Sequence, residues 1–221
     1  MTDLLVHLVR HGQSYNTHRP AGEPYPENPP LTPIGVAEAR LLACRLARLH
    51  IDRLVTSPMR RSVETALIVA EAVDRMVEVW TDCYEYRPFP GYLSWGAREL
   101  QRHYPTLQLP DDLVDEDWVF GCETIDHAMA RADAWLAWLW RQADRQSWKQ
   151  LVVVSHGAIT RILLSRMFLA NFEAMDPMLL FDNTSITTLQ LSPGQARILS
   201  INDTTHLTAD PLLDPLSGIN R

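Results

Sequence analysis

Lysine is nearly missing from this chain. Lys149 is the only one among 20 basic residues, so any cationic pocket has to be built from arginine or from protonated histidine. No run of basic residues occurs and the formal charge is −7, which argues against a nucleic-acid-binding surface. Cysteine is scarce: Cys44, Cys83 and Cys122 are widely spaced and form no C-x-x-C pair. That spacing excludes a disulfide framework or a zinc ribbon and makes a reduced, cytoplasmic setting the expectation. Long apolar runs are also absent. The stretch Leu4 to Val9 is too short for a signal peptide or a membrane span. The expected partners therefore exclude nucleic acid and membrane, and no internal repeat of solenoid period is visible.

What is present begins at that same apolar stretch, which reads as a short buried strand. It ends on Arg10 and His11, and Gly12 lets the backbone turn away and approach a ligand closely. Asn16 follows within reach. A guanidinium beside an imidazole at a strand end suits a phosphate: one group binds oxygens bidentately, the other attacks phosphorus. A proline-rich loop, residues 18–30, comes next, able to wall a pocket or to lie on the surface. Thr32 as N-cap and Pro33 at the first helical position open a helix to about Leu49, with Arg40, Arg45 and Arg48 on its solvated face.

A second strand, Asp52 to Thr56, runs into Ser57-Pro58-Met59-Arg60-Arg61. Ser57 and Pro58 are expected to start a helix reaching about Val73. Two arginines in its first turn oppose the helix dipole unless an anion sits between them. Val77 to Trp80 is a third strand, leading to Asp82 and Glu85. From Tyr86 to Cys122 proline and glycine break the pattern, and residues 86–121 are expected to form an insertion covering the site. A long helix spans Thr124 to about Trp148. Leu151 to Val154 is an apolar, mostly β-branched run, expected as a central strand buried on both faces. It ends in Ser155-His156-Gly157 before a helix from Ala158 to Phe168. Residues 183–191 and 196–201 are two strands joined by Pro193-Gly194 as a hairpin.

Two strand-end histidines, two strand-end arginines and a carboxyl group make a phosphoryl-transfer site without a metal: arginines fix the oxygens, an imidazole attacks, an acid protonates the leaving oxygen. Arg10-His11-Gly12 with Asn16, Leu31-Thr32-Pro33-Ile34-Gly35, Ser57-Pro58-Met59-Arg60-Arg61, Glu85 and Ser155-His156-Gly157, in that order, resemble the histidine phosphatase superfamily, which includes the phosphoglycerate mutases.

The resemblance implies a three-layer α/β/α sandwich around a mainly parallel sheet, in agreement with the element order, as a single domain over residues 1–221. It implies His11 as nucleophile, and Arg10, Arg61 and His156 as phosphate clamp. Asn16 and Gly157 are further substrate contacts, and Glu85 is the acid, with Asp82 the fallback. Arg61 matches the family position better than Arg60. No metal and no cofactor are implied. The mutase branch usually reads Glu-Arg-His-Tyr-Gly at the acid segment, whereas Glu85 is followed by Tyr86-Arg87-Pro88. The expected function is therefore a metal-independent phosphomonoesterase acting through phosphohistidine on a small phosphorylated metabolite. Mutase-type transfer and a silent phosphate-binding module are the alternatives, and a homodimer stays open. His7 shares a strand face with His11 and is read as a core histidine, since no carboxylate or cysteine lies nearby at ligand spacing.

Overall fold

The computed structural model describes residues 3–15, 27–88, 92–116, 118–120, 122–145, 148–172, 179–192 and 194–209. In chain order the elements are β1 (Leu4–Arg10), α1 (Pro33–Leu46), β2 (Arg53–Thr56), α2 (Arg60–Val73), β3 (Val77–Val79), β4 (Tyr92–Ser94), α3 (Ala97–His103), β5 (Trp118–Phe120), α4 (Ile125–Arg145), β6 (Gln150–Ser155), α5 (Gly157–Met167), β7 (Ile186–Ser192) and β8 (Gln195–Asp203). Short 3-10 turns follow β3 (Thr81–Cys83) and β8 (Leu207–Ala209).

The central sheet has the order β3-β2-β6-β1-β7-β8. β1, β6, β2 and β3 run parallel, and β7 and β8 close one side as an antiparallel pair. Strand alternation sends side chains to two different cores. Leu4, Val6 and Leu8 of β1, with Leu151 and Val153 of β6, meet Ala132, Trp135 and Leu139 of α4 and Ile159, Ile162 and Leu163 of α5. Val9, Val152, Val154 and Leu54 meet Leu42 and Leu46 of α1 and Val63, Ala66 and Val69 of α2 on the other face. The fold is thus a three-layer α/β/α sandwich with a mainly parallel sheet. The expected central strand is β6, whose residues Leu151 to Val154 are fully buried.

The parallel pairing of β1, β6 and β2 brings their carboxyl ends to one edge, where open α/β sheets bind ligands. Two glycines let the chain crowd there. A Cβ on Gly12 would stand 2.6 Å from the Gly35 carbonyl oxygen, and one on Gly35 would stand 2.0 Å from that of Gln13. Thr32 caps α1 by accepting the Gly35 N–H at 3.1 Å and donates to the Gln13 side chain at 2.7 Å. The Leu-Thr-Pro-x-Gly stretch therefore fastens α1 onto the loop that leaves β1.

Several boundaries differ from expectation. α2 starts at Arg60, and its N-cap is Met59 without a side-chain cap bond; Ser57 instead turns toward His156. Arg45 forms a bidentate pair with Asp203 rather than standing free in solvent. The described part of 86–121 contains a small two-stranded sheet, β4 with β5, and α3. Leu100, Leu107 and Leu113 join the α1/α2-side core, Trp95 stacks on His103 at 4.3 Å, and Tyr104 donates to Glu64 at 2.9 Å. Trp95 and Tyr104 pack against that same core. No helix among the described residues is long and apolar enough to cross a membrane.

Candidate active site

Arg10, His11, Ser57, Arg61 and His156 converge at the carboxyl ends of β1, β2 and β6. The imidazoles of His11 and His156 meet edge to face with centroids 5.1 Å apart, and both rings are buried, as is Arg61. His11 Nδ1 lies 2.7 Å from the Gly12 carbonyl oxygen, an acceptor, so Nδ1 carries the proton. Arg61 Nε–H then donates to the bare His11 Nε2 at 3.0 Å. Because arginine only donates, the two contacts agree on one tautomer, with a lone pair on Nε2 directed into the site. The backbone is pinned as well: Gly12 N–H donates to Thr65 Oγ1 at 3.1 Å, and Asn183 Nδ2 donates to the His11 carbonyl at 3.0 Å.

His156 is held in the opposite sense. Arg61 Nη2 donates to its Nδ1 at 3.2 Å, so Nε2 bears the hydrogen and donates to Ser57 Oγ at 2.7 Å. Burial first, then Arg61 and Arg10, push His11 well below the ordinary imidazole value; burial, Arg61, His11, Arg87 and Arg10 do the same to His156. Both rings are therefore neutral at neutral pH. His11 is ready to act as a nucleophile, while His156 offers Arg61 a lone pair. Its Nδ1 can donate to an anion only once protonated, a change that a bound dianion favours by offsetting the arginines.

Arg10 donates through Nη1 to the Phe181 carbonyl, and Glu85, Asp182 and Glu38 supply the nearby negative charge that opposes its desolvation. Glu38 also accepts the Gln13 N–H at 2.7 Å, and burial raises its carboxyl. Glu85 sits at the N-terminus of α5. Its Oε1 accepts the N–H groups of Ile159 at 3.0 Å and Tyr86 at 2.9 Å, while Oε2 is only loosely approached, by Ala158 N at 3.5 Å. Oε1 is thus engaged twice, and Oε2 is the freer oxygen. Asp82 lies elsewhere: it is exposed on the 3-10 turn, and its charged neighbours are Arg131 and Asp112.

Arg60 points away from the histidines, paired with Glu64 at 2.8 Å beneath Trp95. Gly157 opens α5; a Cβ there would reach only ordinary contact, 3.8 Å from Arg10. Asn16 lies outside the described residues. His7 is buried, its ring nitrogens 3.1 Å from Thr188 Oγ1 and 3.3 Å from Gln150 Oε1. Among the described residues no group of three or more His, Cys, Asp or Glu is arranged to hold a metal ion.

Other side chains around this cluster escaped the sequence analysis. Glu38 was readable as a charge on the apolar side of α1, in step with Gly35, Ala39 and Leu42. Thr65 sits one turn beyond Arg61 on the buried side of α2 and accepts the Gly12 N–H. Ser57 looks like a helix cap in sequence. Arg87 is buried with Nη2 3.3 Å from Met59 Sδ, the same sulfur that Arg61 Nη2 approaches at 3.4 Å. It follows a stretch without periodicity, and no local signal marks it.

Comparison with known proteins agrees with this geometry. The model of the histidine phosphatase superfamily (branch 1) matches residues 6–204. Phosphoserine phosphatase 1 of Hydrogenobacter thermophilus is 28% identical over 218 residues, covering 90% of this chain and 92% of its own. Among solved structures, a phosphoserine phosphatase mutant from Entamoeba histolytica in complex with phosphoserine superposes with TM-score 0.66 at 23% identity, covering 94% of this chain and 100% of the other. The mycobacterial glucosyl-3-phosphoglycerate phosphatase has the same TM-score at 19% identity, with 90% and 99% covered. At these identities the structural matches speak to the fold. The family match extends over nearly the whole described chain, and the protein belongs to the histidine phosphatase superfamily, branch 1, as a phosphatase.

Proposed function

We propose that this protein is a metal-independent phosphomonoesterase, folded as a single domain, that acts on a small phosphorylated metabolite through a phosphohistidine at His11. The observation that carries this is the tautomer of His11: Nδ1–H is spent on the Gly12 carbonyl, which leaves a nucleophilic lone pair on Nε2 beside Arg61. In the resting state the Arg61 Nε–H occupies that lone pair. A phosphate oxygen takes over the N–H, and phosphorus meets Nε2. Arg10 and Arg61 hold non-bridging oxygens, and protonated His156 joins them in the charged complex. Asn16 and the start of α5 at Gly157 complete the substrate contacts. Nε2 attacks, the P–O ester bond breaks, and the leaving oxygen takes the proton from Glu85 Oε2. Water then attacks the phosphoramidate, with Glu85 accepting its proton, and releases inorganic phosphate and free His11.

Hydrolysis is favoured over mutase transfer because the relatives named above are phosphatases of phosphorylated small metabolites. The scarcity of cysteine supports a reduced, cytoplasmic setting.

The test uses two substrates in the presence of EDTA. Phosphate release should survive the chelator. Glu85→Gln should slow an alkyl phosphate, whose leaving oxygen needs a proton, by about 10²–10⁴ in kcat, and barely affect 4-nitrophenyl phosphate, whose phenolate leaves unaided. Loss of activity in EDTA with rescue by a divalent ion would refute metal independence. Equal slowing of both substrates, or the selective pattern in Asp82→Asn instead, would remove Glu85 from the role.

A further inference from the structure

A second concave site lies beyond β3, lined by Trp80, Thr81, Asp82, Pro110, Asp112, Trp135 and Trp138, with a volume of about 290 Å³. None of these residues belongs to the histidine site. Its apolar walls are indoles. Trp80 and Trp138 meet edge to face with centroids 3.8 Å apart, and Trp138 is braced in turn by Trp148 at 6.4 Å. Trp135 is only 2% exposed, and its indole N–H has no acceptor among the described residues.

The charge at this cavity is of one sign. Asp82 and Asp112 are both exposed at its rim, and neither carboxylate has an ion pair or hydrogen bond among the described residues. Arg131, the cation acting on the Asp82 carboxyl among the described residues, makes its hydrogen bonds elsewhere. It binds both Glu123 oxygens at 3.1 and 2.9 Å, donates to the carbonyls of Asp82 at 2.6 Å and Tyr84 at 2.9 Å, and lies over the Tyr84 ring at 3.6 Å. Partial burial raises the Asp82 carboxyl; Arg131 opposes that rise and Asp112 adds to it.

We propose that this cavity binds a small organic ammonium ion, its alkyl groups against the Trp80 and Trp138 indoles and its charge facing Asp82 and Asp112. Each competing ligand class meets an obstacle. An anion is repelled by both carboxylates. A neutral apolar molecule gains nothing from them. A hard metal ion finds two carboxylates but no group of three or more His, Cys, Asp or Glu among the described residues, whereas indole faces favour weakly hydrated organic cations. The volume accommodates a choline-sized ion. This inference is independent of the chemistry assigned to His11.

The experiment titrates the full chain with choline, and separately with its neutral carbon isostere 3,3-dimethylbutan-1-ol, following heat and tryptophan fluorescence. Choline should bind saturably. The isostere, the double variant Asp82→Asn/Asp112→Asn and Trp138→Leu should each weaken binding by roughly tenfold or more. The double variant replaces only rim carboxylates, so it decides the matter if Trp138→Leu fails to fold; far-UV circular dichroism checks both. Absence of saturable choline binding, equal affinity for the isostere, unchanged affinity in a folded double variant, or displacement of choline by equimolar Mg²⁺ would each overturn the proposal.

Discussion

The ends of β1 and β6 carry the same sequence device, a buried strand followed by histidine and glycine, and the fold uses the two copies differently. At the end of β1, Gly12 is sterically obligatory, because a Cβ would strike the Gly35 backbone at 2.6 Å. The carbonyl of that same Gly12 fixes the His11 tautomer. At the end of β6, Gly157 faces no such contact, and the His156 ring takes its orientation from side chains of two other elements, Ser57 after β2 and Arg61 on α2. One histidine is set by its own neighbour and presents a lone pair to the site. The other is set by distant partners and waits for a proton. Repetition in sequence thus reports a shared strand-end position, while the role of each ring follows from what its two nitrogens touch.

The largest effect that probes this contrast comes from Arg61, which hydrogen-bonds both rings. Arg61→Ala removes a donor to the transferring phosphoryl group, and kcat should fall by about 10²–10³. Steady-state kinetics on one good substrate checks this, and an unchanged kcat would mean that the convergence of the two histidines on Arg61 has no part in turnover.

The glycines give the next contrast. Gly12→Ala forces backbone apart and should lower stability by about 1–3 kcal/mol, as overpacking does, whereas Gly157→Ala should leave the unfolding free energy measured in urea within about 0.5 kcal/mol of the parent. Equal effects would erase the steric difference between the two strand ends.

A smaller effect is expected at Ser57. Ser57→Ala withdraws one hydrogen bond from His156, worth about 1 kcal/mol or roughly fivefold in kcat, with KM little changed. It should also move the pH dependence of kcat through His156 while leaving labelling of His11 intact. A change in KM alone would assign Ser57 to substrate binding rather than to positioning the ring.

Much of this architecture was legible in the sequence because its signals are local. The apolar runs of β1 and β6, Thr32 and Pro33 at the head of α1, and the turn at Gly194 each act within a few residues, and the strand-end placement of Arg10, His11 and His156 follows from them. Side-chain partnerships that span the chain were not legible. Ser57 has the local look of a cap, and only the parallel pairing of β2 with β6 brings it beside His156. Glu38 and Asp182 approach Arg10 from elements far apart in sequence. The 86–121 segment has no periodicity, and its two paired strands of three residues each, separated by α3, are too short to announce themselves. The preference for Arg61 over Arg60 came from the family resemblance; in the fold, Arg61 faces the histidines and Arg60 faces Glu64.

The most direct test of the account is to trap the phosphorylated enzyme and map it. Rapid quench with a radiolabelled phosphomonoester should give a label that is stable in base and lost in acid, as a phosphoramidate is, and peptide mapping should place it on His11. The label should be absent from His11→Ala and still form, more slowly, in His156→Ala. Label that survives acid, or that maps to His156 and persists in His11→Ala, would contradict the division of labour between the two strand ends.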